Sequence, residues 1–136
     1  MMNDVLINKA STIERCVRRA REEYFTDPEN FATNFTRQDA AILNIQRACE
    51  AALDMGQYII RRDKLGISQN SRGVFDLLMQ AGYIEKNLCA NLQKMVGFRN
   101  IAVHDYKHLQ LEITVAIINK HLDDFLNYSK AILLRG

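Results

Sequence analysis

Apolar residues return every third or fourth position through most of this chain, and a single proline, Pro28, stands against that rhythm. Such spacing keeps apolar side chains on one stripe of an α-helix, whereas a half-buried strand needs strict alternation. Leu6, Ala10, Ile13, Val17, Ala20 and Tyr24 form one such stripe. It predicts an amphipathic helix over residues 3–25. "TDPEN" (26–30) then breaks the pattern. No segment shows convincing period-two alternation, and no internal repeat is visible.

A second helix is expected from Thr36, whose hydroxyl can cap it, with Asp39 three residues on in a capping-box-like position. It should run to about Ile60, followed by Arg61, Arg62 and Lys64, whose charges suit the end of a helix dipole. "LGISQNSRG" (65–73) has the composition of a loop. "VFDLLMQAG" (74–82) reads as a short helix ended by Gly82. A further helix over Ile84 to Val96 would place Ile84, Leu88, Leu92 and Met95 on one side; Gly97 ends it, bends it or lies within it. The last helix is expected from about Lys107 to Leu133. Leu109, Ile113, Ile117 and Phe125 would mark its core side, widened by Ile118 and Leu122. The prediction is an all-α, up-down bundle of four long helices plus one short helix, with residues 1–136 as one domain.

Composition narrows function mainly by exclusion. The net charge of +2 does not announce nucleic-acid binding by itself, so any basic surface must come from local clustering. Cys16, Cys49 and Cys89 are odd in number and lack C-x-x-C spacing, which argues for free buried thiols in a reducing cytoplasm. No long uncharged apolar run is present, so no membrane span or secretory signal is expected.

One stretch asks for chemistry. "GFRNIAVHDY" (97–106) sets Arg99, Asn100, His104 and Tyr106 around the apolar run Ile101, Ala102 and Val103. On a continuous helix Arg99 and His104 would lie about 140° apart, and Tyr106 about 200° from His104. A break at Gly97 or after it would bring the first two closer, and Tyr106 needs a non-helical turn or a cleft to share a ligand with His104. The residue types suit RNA cleavage. Free histidine titrates near ~6.5 and can move a proton at cellular pH. Arginine stays charged and its planar fork matches phosphate oxygens. A histidine base would free the ribose 2′-hydroxyl to attack phosphorus, giving a 2′,3′-cyclic phosphate and sparing DNA. An acid is needed as well, which a two-fold homodimer would supply from its second copy.

"RNIAVHDY" fits R-N-x-x-x-H-x-Y, the extended form of the R-x4-6-H motif. In a small all-helical chain this resembles the HEPN superfamily, most closely the HepT-like toxins of HEPN/minimal nucleotidyltransferase toxin–antitoxin pairs. The match covers essentially the whole chain in length and helix order. It implies a homodimeric endoribonuclease needing neither metal nor other cofactor, with a composite cleft. By position, Arg99 and His104 would be the catalytic pair and Asn100 a supporting polar residue. Tyr106 would receive AMP from the partner nucleotidyltransferase antitoxin. An adenylyl phosphodiester there would put negative charge and bulk where RNA must go.

Plainer readings stand beside these. Tyr106 also fits a rim aromatic. His104, His108 and Glu112, four apart, would share a face on a continuous helix and suggest a metal site, but no further ligand is evident. His121, near Asp123 and Asp124, carries no motif. Arg15, Arg18, Arg19 and Arg21, diluted by Glu14, Glu22 and Glu23, read as a solvated face. Arg61, Arg62, Lys64 and Arg72 read as a dipole-compensating terminus. The sharper alternative for both basic groups is electrostatic guidance of an RNA backbone. The competing function is a non-catalytic helical module that binds a nucleotide or a nucleotidyltransferase; a purely structural bundle is the third.

Overall fold

Helix α1 (Asp4–Phe25) and helix α2 (Phe35–Asp63) lie antiparallel, tied near one end by Lys9 to Asp54 at 3.0 Å and near the other by Arg37 to Glu23 at 3.8 Å. The computed structural model describes residues 3–135, and among these all regular structure is helical. The remaining helices are α3 (Ser71–Gln80), α4 (Lys86–His104), α5 (Leu111–Lys120) and α6 (Leu122–Arg135), with 3-10 turns at Pro28–Thr33 and Tyr106–His108. The up-down bundle expected from the sequence is present. No helix is long and apolar enough to cross a membrane among the described residues.

The α1 stripe is buried as predicted at Leu6, Ala10, Ile13, Val17 and Ala20, with Cys16 added and Tyr24 only partly covered. Asn3 caps the helix by accepting from the backbone N–H of Val5 and Leu6. The cap of α2 differs from expectation. Asn34, not Thr36, accepts from Arg37 N at 3.1 Å, because a 3-10 turn carries the chain from Pro28 directly to residue 34. Asp39 is thereby released from capping. The helix also runs past Ile60 to Asp63, where Lys64 takes φ 54°.

Phe31, Phe75, Phe125 and Tyr128 are the largest side chains sealed in the core. Burying a side chain of this size favours folding by about 1.5–3 kcal/mol before entropy is counted. Tyr128 stands edge-on to Phe75 at 5.5 Å and donates its hydroxyl to Ala52 O at 2.7 Å, satisfying its polar end. Gly56 lets these elements meet: a Cβ there would come within 2.6 Å of Val74 Cγ1 and 3.0 Å of the Tyr128 hydroxyl.

Three boundaries shift in ways that matter for the site. "SRG", assigned to a loop by composition, is instead the first turn of α3, capped by Asn70 accepting from Gly73 N at 2.9 Å. Gly97 lies within α4, which continues unbroken to His104. The predicted last helix is two helices, beginning at Leu111 and bent at His121 (φ −126°). Asp123 and Asp124 in the first turn of α6 suit a new helix N-terminus. The later start and the bend turn Thr114, Ile117 and Ile118 inward and leave Ile113, expected in the core, 46% exposed.

Candidate active site

Antiparallel packing of α3 on α4 builds the surroundings of Arg99. Gln93 Nε2 donates to Asp76 Oδ1 at 2.9 Å and to Arg72 O at 3.0 Å. One turn and a half further along α4, Arg99 Nη2 donates to Ser71 Oγ at 3.0 Å. The first turn of α3 therefore lies against the motif. Arg99 is half-buried, is absent from the ion pairs of the described residues, and its Nε is buried without a hydrogen-bond partner. Beneath it lies the Cys49 thiol of α2. Burial pushes this thiol up to about 12, while the charge and a hydrogen bond of Arg99 act in the opposite direction. The hydrogen bond that holds the arginine is thus accepted by a neutral hydroxyl, and no carboxylate pairs with it among the described residues.

His104 is the last residue of α4 and is exposed. Because α4 is continuous, Arg99 and His104 remain about 140° apart around the axis and about 7.5 Å apart along it. The break that would have drawn them together within one chain does not occur. Neither is sealed in the interior. Asn100, half-buried, lies nearly in line with His104 on the helix surface.

The chain leaves the helix at Asp105 (φ −151°, ψ 45°) and makes the 3-10 turn that carries Tyr106. A non-helical turn, one of the two arrangements the spacing allowed, thus follows His104. The Tyr106 hydroxyl donates to Asp39 Oδ1 in the first turns of α2. Partial burial and the Asp39 carboxylate, in that order, push the phenol up to about 12. The same turn separates His104 from His108 and Glu112, so the spacing of four does not put them on one helical face. His108 instead turns back to Asp105, Nδ1 to Oδ1 at 2.5 Å. No cluster of three metal-ligating side chains occurs among the described residues.

Beside this site, α4 and α5 leave a largely apolar groove of about 570 Å3, walled by Met95, Phe98, Ile101 and Ile117, with Arg72 and Lys94 on its rim. Two residues next to the motif carried no functional reading in the sequence. Ser71 was hidden by the loop-like composition of its surroundings; Asn70 followed by Gly73 was the only local sign of a helix start. Asp39 has the spacing of a cap residue, and nothing local links it to Tyr106, 67 residues away.

A small up-down helical bundle that carries R-N-x-x-x-H-x-Y across the exit of its fourth helix has the architecture of the HEPN class. A family model described as "Ribonuclease HepT-like" matches residues 13–132. The chain is 49% identical over 131 residues to the mRNA nuclease HepT of Shewanella oneidensis, covering 96% of this chain and 98% of that one. It belongs to the HepT-like ribonuclease family. Solved structures agree. A tri-AMPylated Shewanella oneidensis HEPN toxin in complex with MNT antitoxin superposes with a TM-score of 0.92 at 49% identity, over 96% of this chain and 98% of that one. A toxin–antitoxin crystal structure with AMP-PNP gives 0.92 at 48% identity over the same shares.

Proposed function

We propose that this chain is the ribonuclease toxin of a toxin–antitoxin pair, working in the cytoplasm as a homodimer with Arg99 and His104 as its catalytic pair. The observation that carries this reading is the contrast between those two residues. Arg99 is held by Ser71, lies beside the Cys49 thiol and pairs with no carboxylate among the described residues, while His104 stands open at the helix end. The relative named as an mRNA nuclease makes RNA the substrate to test first.

A single copy sets the two groups on different sides of α4, so a second copy completes the cleft. His104 of one subunit takes the proton of the ribose 2′-hydroxyl as its oxygen bonds to phosphorus. The bond from phosphorus to the 5′-oxygen breaks, and that oxygen leaves with a proton from His104 of the partner subunit. Arg99 faces the negative charge that gathers on the phosphoryl oxygens, and Asn100 adds a neutral donor nearby. No step calls for a metal.

Tyr106 is the acceptor for AMP from a minimal nucleotidyltransferase antitoxin; the AMPylated relative in complex with MNT antitoxin supports the modification, and the place of Tyr106 in the motif selects the residue. Modification replaces the phenolic hydrogen that Asp39 accepts with a phosphodiester that Asp39 repels. The tie to α2 is then lost, and an anion sits two residues from His104.

The test is cleavage of RNA by the purified protein. Wild type should leave 2′,3′-cyclic phosphate ends, and His104→Ala and Arg99→Ala should each lose about 10²–10⁴-fold in rate. Equal cleavage by wild type and His104→Ala would refute the mechanism.

A further inference from the structure

We propose that Arg72 seats an RNA backbone phosphate next to the one that is cut. The inference rests on the ribonuclease reading and adds to it a binding residue outside the motif. Arg72 comes from the first turn of α3 and lies across α4: its Nε donates to Gln93 O at 3.3 Å, and Gln93 Nε2 donates back to Arg72 O at 3.0 Å. Its far end occupies the space that a side chain at position 97 would need, since a Cβ on Gly97 would meet Arg72 Nη2 at 2.9 Å. A long, exposed, flexible side chain is thus given a fixed course over the motif helix.

Helical arithmetic sets the target. Gln93, Gly97, Asn100 and His104 fall within about 60° of arc on α4, and Gly97 precedes His104 by about 10 Å along the axis. The Arg72 guanidinium therefore stands on the face that carries His104. Arg99 leaves the other flank of α4 and holds Ser71, the chain neighbour of Arg72. Two arginines so flank the start of α3. Arg21, Arg37 and Arg62 each pair with a carboxylate, whereas Arg72 is in none of the ion pairs of the described residues. A planar fork with unspent donors on the cutting face matches a phosphodiester, and such a contact fixes the strand without reading its bases.

A clamp that only joins α3 to α4 would predict a different outcome, and binding separates the two. The probe is a fluorescein-labelled 2′-O-methyl oligoribonucleotide, which presents phosphates but lacks the internal nucleophile. With the full chain, Arg72→Ala should weaken binding roughly tenfold and reduce the slope of log Kd against log salt by about one, with Tm unchanged. Gly97→Ala should weaken binding too, by displacing the guanidinium, yet hold or raise Tm, because alanine favours helix. Arg61→Ala, the same charge removed from the exposed end of α2, should leave binding as it was. The proposal is overturned if the wild type does not bind, if neither Arg72→Ala nor Gly97→Ala weakens binding, if Arg61→Ala weakens it as much, or if the loss tracks a fall in Tm. Because the probe cannot be cut, a wild type that binds it through Arg72 but leaves ordinary RNA intact would defeat the ribonuclease reading alone.

Discussion

The Tyr106 hydroxyl donates to the Asp39 carboxylate, joining the turn after the motif helix to the start of α2 across 67 residues of sequence. The contact makes the tyrosine a reporter of its own environment. Partial burial first, and Asp39 second, hold the phenol at about 12 against an ordinary value of 10. Tyr83 and Tyr128 are raised as well, so phenolate absorbance should show several tyrosines titrating late, of which Tyr106→Phe removes the one near 12. Asp39→Ala should lower it only part of the way, since burial remains. A folded-state value above the unfolded one adds stability that is complete below pH 10 and disappears as pH rises through 12. A Tyr106 that titrates at 10 in the native protein would refute the contact.

Adenylylation should cut that tie. Co-expression with a cognate minimal nucleotidyltransferase should add AMP to wild type and not to Tyr106→Phe, read by mass spectrometry. Hydrogen exchange across residues 105–110 should rise on modification, because the turn loses its link to Asp39. Modification confined to other residues would remove Tyr106 from the regulatory scheme.

Ser71 positions Arg99, and its removal should be felt in catalysis. Ser71→Ala deletes one hydrogen bond to a charged group, an interaction of about 1.5–3 kcal/mol, so kcat should fall by roughly ten- to a hundredfold. The pH profile of the rate should keep its shape, and Ser71→Thr, which restores a hydroxyl, should recover most of the loss. Failure of the threonine variant to recover would argue for a packing role.

Gly56 and Gly97 should respond oppositely to the same substitution. At Gly56 a methyl group meets Val74 Cγ1, Leu78 Cδ1 and the Tyr128 hydroxyl at 2.6–3.0 Å inside the core. Gly56→Ala should cost about 1–3 kcal/mol from overpacking, beyond what the better helix former returns. At Gly97 the methyl group meets only the end of Arg72, so Gly97→Ala should be neutral or stabilise by up to about 1 kcal/mol. Chemical denaturation of both variants checks the contrast.

Much of the bundle was legible because helical burial is periodic and local. The α1 stripe, the buried Leu92 and Met95 of α4, and Ile117 and Phe125 near the C-terminus were all placed correctly by spacing. Errors gathered where one short-range rule competed with another. Thr36 and Asn34 were both able to cap α2, and the 3-10 turn at Pro28–Thr33 decided for Asn34. Ser71–Gly73 looked like loop because serine and glycine favour turns, yet they begin a helix once Asn70 caps it and α4 lies beneath.

The motif was legible in the sequence, because residue types at fixed offsets need no coordinates, and Arg99, Asn100, His104 and Tyr106 stand out as candidates from them. Tertiary structure decided what each of them faces. It kept α4 straight through Gly97, so that Arg99 and His104 stay on different sides of one helix. It brought Ser71 and Cys49 to Arg99, Arg72 to Gly97, and Asp39 to Tyr106. Those partners lie 25 to 67 residues apart along the chain. Helical periodicity repeats every few residues and carries no record of which helix packs on which; that choice follows from burying all the stripes together.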